Sequence, residues 1–200
     1  MKPIIITIGR QFGSGGHELG EKLAKRLNIP FYDRALLTEA AARCGLTKDM
    51  IESLDEKPTS SFLYSLSMGS YGMGGDVQLP LGNQVFLAMS RTIKELAENG
   101  SCVIVGRCAE YVLQGREDLL RVFVHADKAS RVARVMEKCN LNEKDAAVLM
   151  QRTDKKRASY HDFYSDDKWG VATSYDLTVN SGLLGIDDAV EMIAAYAENR

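Results

Sequence analysis

Cysteine is sparse and unpaired in this chain. Cys44, Cys102, Cys108 and Cys139 are its four cysteines in 200 residues, and none forms a C-x-x-C, so neither a disulfide framework nor a zinc spacing is present. Reduced, buried thiols are expected, with Cys108 beside Arg107 the more reactive if exposed. Histidine is as rare: His125 ends an apolar run and His161 stands beside Asp162 in a polar one, and with no metal triad around them both are expected to be structural or exposed. An excess of charge is missing too. The formal net charge is −2, which gives no general pull toward nucleic acid or anionic lipid, so any polyanion site must be local. No apolar run approaches the ~20 residues of a membrane helix. Met1-Lys2-Pro3 leads into a strand-like run rather than a secretory segment. The expectation is a cytoplasmic protein that binds neither nucleic acid nor membrane. Nothing in the sequence sets an oligomeric state.

What is present fits one domain over residues 1–200, with 45% hydrophobic content and no internal repeat. Strand-like runs at Ile4–Ile8, Pro30–Tyr32, Cys102–Val105, Leu120–His125 and Leu177–Val179 alternate with helical patterns. Those patterns cover Glu18–Leu27, Ala35–Arg43, Gln84–Glu98, Lys128–Lys138, Glu143–Tyr160 and Ile186–Glu198. Several strands are continuously apolar, which predicts an α/β fold with a parallel sheet covered on both faces. Ser60–Gly82, with Gly69, Gly72, Gly74 and Gly75 close together, reads as a mobile insertion serving either as a substrate flap or as a linker.

The most informative stretch runs from Ile4 to Gly20, where an apolar strand meets a glycine-rich turn that opens an amphipathic helix. Glycines let successive backbone N–H groups turn toward one oxyanion, and the helix dipole adds to the attraction. Gly13, Ser14, Gly15, Gly16, His17 and Glu18 are therefore the candidate phosphate cradle. The pattern G-x-x-x-x-G-K-[ST] is incomplete: Arg10 stands at the first glycine, Gly16 at the lysine, and His17-Glu18 near the hydroxyl that reaches magnesium. Arg10 is the better replacement for the lysine, since a guanidinium is charged at any working pH while an ordinary imidazole titrates near neutrality. Glu18 either contacts magnesium or caps the helix.

Gly13-Ser14-Gly15-Gly16-His17-Glu18-Leu19-Gly20, Phe31-Tyr32-Asp33-Arg34, Val103-Ile104-Val105-Gly106-Arg107, Arg131 with Arg134, Arg152-Thr153-Asp154-Lys155-Lys156-Arg157 and Tyr175–Gly182 together resemble the cytidylate kinase-like group of P-loop nucleoside monophosphate kinases. The resemblance covers nearly the whole chain. It implies a three-layer P-loop NTPase fold with a five-stranded parallel sheet, helices on both faces and a mobile lid near residues 152–170. It further implies ATP-dependent phosphoryl transfer, with Mg2+, to a nucleoside monophosphate such as CMP. On this reading Arg10, His17, Arg152 and Arg157 are catalytic, with the two last on the lid, and Asp33, Arg34 and Arg107 bind the acceptor. Two other readings share the fold: a nucleotide-binding regulatory module, favoured by the missing lysine, and a P-loop kinase for another small anionic acceptor.

The residues leave alternatives beside these roles. Asp33 either positions Arg34 or a base, or caps the following helix. Arg107 lies just beyond a buried strand, at the edge where parallel sheets bind ligands, or is a surface partner of Glu110. Arg152, Lys156 and Ser159-Tyr160 are spaced to share a face, and a solvated basic face is the alternative to a lid. Trp169 either stacks on a base or packs a lid against the body. Asp166 and Asp167 have too little context for an acid–base pair.

Overall fold

The computed structural model describes residues 3–42, 47, 49, 51 and 80–200. Strands β1 (Ile5–Arg10), β2 (Phe31–Tyr32), β3 (Cys102–Val105), β4 (Leu119–His125) and β5 (Leu177–Asn180) form one five-stranded parallel sheet in the order β2-β3-β1-β4-β5. The helices are α1 (Gly16–Leu27), α2 (Arg34–Ala42), α3 (Leu81–Glu98), α4 (Ala109–Val112), α5 (Lys128–Cys139), α6 (Glu143–Tyr164), α7 (Ser181–Leu184) and α8 (Ile186–Glu198), with a 3₁₀ turn at Ala172–Ser174. No helix among the described residues is long and apolar enough to cross a membrane.

The alternation of side chains along β1 builds both cores. Ile4, Ile6 and Ile8 point to one face, where Leu19, Leu23 and Leu27 of α1 and Ala189, Ile193 and Ala194 of α8 cover them. Ile5 points to the other, among Val85, Met89 and Ile93 of α3 and Ala109 and Leu113 around α4. A strand buried on both faces is apolar on both, which is why this one reads as a nearly continuous run of isoleucines, interrupted by the buried Thr7. Beyond the sheet, Phe86 of α3 stacks on Tyr164 of α6 with 3.8 Å between ring centroids and 2° between planes. Trp169 meets Phe123 of β4 edge-on at 5.3 Å, the packing alternative of the two open for it.

Element boundaries move in ways that matter. β1 runs on past Ile8 to Arg10, so the candidate arginine is a sheet residue paired with Val124. α1 starts at Gly16 rather than Glu18, and α6 continues beyond Tyr160 to Tyr164. The expected insertion at 60–82 falls outside the described residues up to 79, and Leu81 and Gly82 belong to α3. Cys44 also lies outside them.

His161 is buried, at 3% exposure. Its Nε2 lies 3.3 Å from Glu110 Oε1 and its Nδ1 3.3 Å from Asp162 Oδ1, joining α6 to α4. Burial acts to lower its pKa, but the hydrogen bond and charge of Glu110, and then of Asp162, outweigh burial and raise it above the ordinary 6.5. A folded value above the unfolded one means that this contribution to stability is complete below the unfolded pKa and is lost as pH rises through the raised value. Urea unfolding of His161→Gln should therefore show its largest deficit against the parent near about pH 6 and a smaller one near about pH 9. A deficit flat across that range would show that no charged pair forms.

Candidate active site

At the carboxyl end of β1 the chain leaves the sheet between β3 and β4, the place where open parallel sheets form a crevice. Gly15 stands at the N-cap of α1 with φ 76°, and no side chain caps the helix. A Cβ there would approach Ile186 Cδ1 to 2.5 Å, a contact the end of that side chain can relieve, so it is the left-handed backbone that requires glycine at this turn. Glu18 does not cap the helix; its carboxylate pairs with Lys22 at 3.0 Å. Ser14 turns its hydroxyl back to the Gln11 carbonyl at 2.9 Å.

A cavity of about 980 Å³ opens over this loop. Its floor includes Arg10, Gly13, Gly15, Gly16, His17 and Glu18. One side is α2 with Asp33 and Arg34, and the other is α5 with Arg134, Lys138 and Cys139. Arg10 governs the floor. A side chain at residue 16 would place its Cβ 2.6 Å from Arg10 Cβ and 3.2 Å from Val124 Cβ. The Arg10 guanidinium lies over Gly106, where any Cβ would collide with it. Arg10 and a side chain at residue 16 thus compete for one space, and the arginine occupies it.

On the α2 side Asp33 takes the capping role, one of those open to it, and adds a bond to His17 that the sequence did not suggest. Its Oδ1 caps α2 by accepting from the Ala35 and Leu36 amides at 3.0 and 3.1 Å, and its Oδ2 lies 3.0 Å from His17 Nε2. Burial acts to raise its pKa, but the His17 hydrogen bond and these amides prevail and hold it below the ordinary carboxylate value. On the α5 side Arg134 donates to the Ser14 carbonyl at 3.0 Å and to that of Ser181 at 3.4 Å. Arg134 is a site residue that motif reading left out. Its signal was the helical spacing of Arg131, Arg134 and Lys138, which gives one face but not the direction in which that face points.

The basic run of α6 divides. Arg157 lines the cavity, donating to the Arg10 carbonyl at 3.1 Å and lying 5.5 Å from the Phe12 ring centroid. Arg152, Lys155 and Lys156 are exposed and are not among the lining residues. Tyr160 is not exposed with them: about 80° round the helix from Arg152, it is buried near Phe86. Arg107 is 4% exposed and lies outside the cavity lining. The surface pairing with Glu110 is thereby overturned, since Arg107 is buried and Glu110 faces His161. Cys108 is buried as well, and among the described residues Cys139, at the cavity rim, is the exposed thiol.

A glycine-rich loop joining the central strand of a β2-β3-β1-β4-β5 parallel sheet to its first helix defines the class: this is a P-loop kinase fold. The chain belongs to the cytidylate kinase-like family, whose model matches residues 5–183. An uncharacterized protein from Eubacterium ventriosum, known from its crystal structure, is 34% identical to it, with a TM-score of 0.76 over 98% of this chain and 99% of that one. Shikimate kinase from Bacteroides thetaiotaomicron shares the fold at 16% identity, with a TM-score of 0.55 over 98% of this chain and 99% of that one. A gluconokinase from Sinorhizobium meliloti does so at 17% identity, with a TM-score of 0.50 over 98% and 95%. No curated protein matches the chain.

If the Arg10 guanidinium rests on Gly106, the two positions must couple. Gly106→Ala should destabilise the parent by about 1–3 kcal/mol and cost less in an Arg10→Ala background, where the methyl group gains room. Denaturant unfolding of the four proteins of this cycle checks it, and simple additivity would mean that the guanidinium moves aside without cost.

Proposed function

We propose that this chain transfers a phosphoryl group from ATP to a nucleoside monophosphate, with CMP the preferred acceptor. The observation that carries the reading is Arg10, which lines the cavity with its guanidinium over Gly106 while its Cβ lies 2.6 Å from where a Cβ at residue 16 would stand. A fixed cation there meets the requirement of phosphoryl transfer for charge stabilisation in a shaped site. The loop from Gly13 to Glu18 would hold the ATP phosphates through backbone N–H groups at an uncapped helix N-terminus.

Magnesium bound with the nucleotide would neutralise charge between the phosphates and orient them. A magnesium ion of this kind is held by phosphates and one or two carboxylates. Glu18 is the carboxylate we assign to it, directly or through water, once it releases Lys22. On the α2 side Arg34 would meet the acceptor phosphate, with Asp33 fixing the start of its helix. Arg107 would join Arg34 only if its turn opens toward the cavity. Arg152 and its lysine neighbours would bring further positive charge as the segment near 152–170 closes, with Arg157 already at the floor. His17, bonded to Asp33, would link the donor loop to the acceptor helix.

Product analysis with ATP–Mg2+ and each nucleoside monophosphate tests the reaction. Arg10→Ala should lower kcat by about 10²–10³-fold, a larger loss than its loss of ATP affinity. Full activity in that variant would clear Arg10. No transfer by the parent to any nucleoside monophosphate would favour the regulatory module, which the glycine at residue 16 also suits. Closure has its own readout: amides of 152–160 should gain hydrogen-exchange protection only with both substrates bound, and unchanged exchange would leave a solvated basic helix.

A further inference from the structure

Phe12, at the shoulder of the phosphate loop, is gripped on both sides of its backbone. Its amide donates to Asp154 Oδ1 of α6 at 2.7 Å. Its carbonyl accepts from Arg131 Nε of α5 at 2.9 Å. Arg131 and Asp154 are paired with each other, so two helices and one loop residue form a closed ring of charge-assisted bonds. The two side chains are little exposed, 8% for Arg131 and 18% for Asp154. One turn along α6, Arg157 covers the Phe12 ring and holds the carbonyl of Arg10. The ring itself packs beside Val132, Val135, Ala146 and Met150.

This grip answers a physical problem. A loop with left-handed glycines at Gly13 and Gly15 has much freedom to lose, and a ligand that had to order it would bind more weakly by that cost. Asp154 lies 142 residues from Phe12 in the chain, and its bond ties the loop to the fold where the glycines begin. Gly13 also sits against α5, since a Cβ there would lie 2.7 Å from the Arg131 carbonyl.

We propose that Asp154 and Arg131 are positioning residues of the phosphate loop. By holding the Phe12 peptide from both sides they preset Gly13–Gly16 for a polyphosphate and connect that loop to α6, so that movement of α6 over the cavity is transmitted through Phe12. The inference rests on the phosphate-binding reading of the loop given above.

Hydrogen exchange in the nucleotide-free protein reads this preset without any phosphoryl transfer, and calorimetry with ATP–Mg2+ reads its consequence. Asp154→Ala should speed exchange of the amides of 13–17 by about tenfold or more, leave those of Leu23–Leu27 unchanged, and weaken ATP binding by about tenfold. Asp154→Asn keeps an oxygen for the Phe12 amide and should restore most of the protection. If Asp154→Ala fails to fold, Arg131→Lys carries the same comparison, because it keeps the charge but cannot hold the Phe12 carbonyl and Asp154 together. Unchanged loop exchange, a uniform acceleration across the chain, or faster loop exchange with unaltered ATP affinity would each overturn the proposal. Failure of the parent to bind ATP would instead overturn the phosphate-binding reading, while the exchange data would still decide whether the grip orders the loop.

Discussion

A strand covered on both faces and paired along both edges has only its end to offer to solvent. β1 is in that position, with β3 and β4 beside it and apolar layers above and below. Its end is therefore where polar chemistry must collect, and the chain places an arginine, then glycines, then an uncapped helix start there. The other elements supply walls to this point: α2 from the β2 side, α5 and α6 from the β4 side. The order β2-β3-β1-β4-β5 thus fixes the location of the cavity before any particular side chain is considered.

The cavity lining sets five cationic side chains, Arg10, Arg34, Arg134, Lys138 and Arg157, against the four carboxylates of Glu18, Glu21, Asp33 and Glu137. Arg134 and Arg157 are held by main-chain carbonyls, those of Ser14, Ser181 and Arg10. At Arg134 the carbonyls orient the guanidinium without neutralising it, whereas a carboxylate would do both. The same bonds stiffen the loop backbone. Electrostatics and loop rigidity are therefore one construction in this site, and removing an arginine alters both at once.

Much of the fold was legible in the sequence because it follows from burial. Continuous apolar runs marked the strands, and long amphipathic stretches marked α1, α5 and α8 to within a residue or two. The one-turn helices α4 and α7 escaped because four residues are too few to show a period. The loop was legible from its glycines, and Asp33 from its place before a helix. Other parts of the site depend on which way a face points after folding. Arg134 was visible as a helical arginine, but only the packing of α5 against the loop turns it toward Ser14. Asp154 carried no local sign of its role, because its partner is distant in sequence. Arg107 looked accessible from its position after a strand, yet its backbone conformation and burial come from the turn in which it sits.

That turn keeps Gly106, Arg107 and Cys108 at successive positive φ values of 83°, 63° and 52°. For the two residues that bear side chains, such a backbone costs about 1–2 kcal/mol each. Substitutions there will carry two effects of opposite sign: a glycine in place of Arg107 relaxes the main chain while it deletes a buried guanidinium. Stability at this corner is therefore a balance, and an exchange at residue 107 reports backbone relief and the loss of a buried charge together, never either one alone.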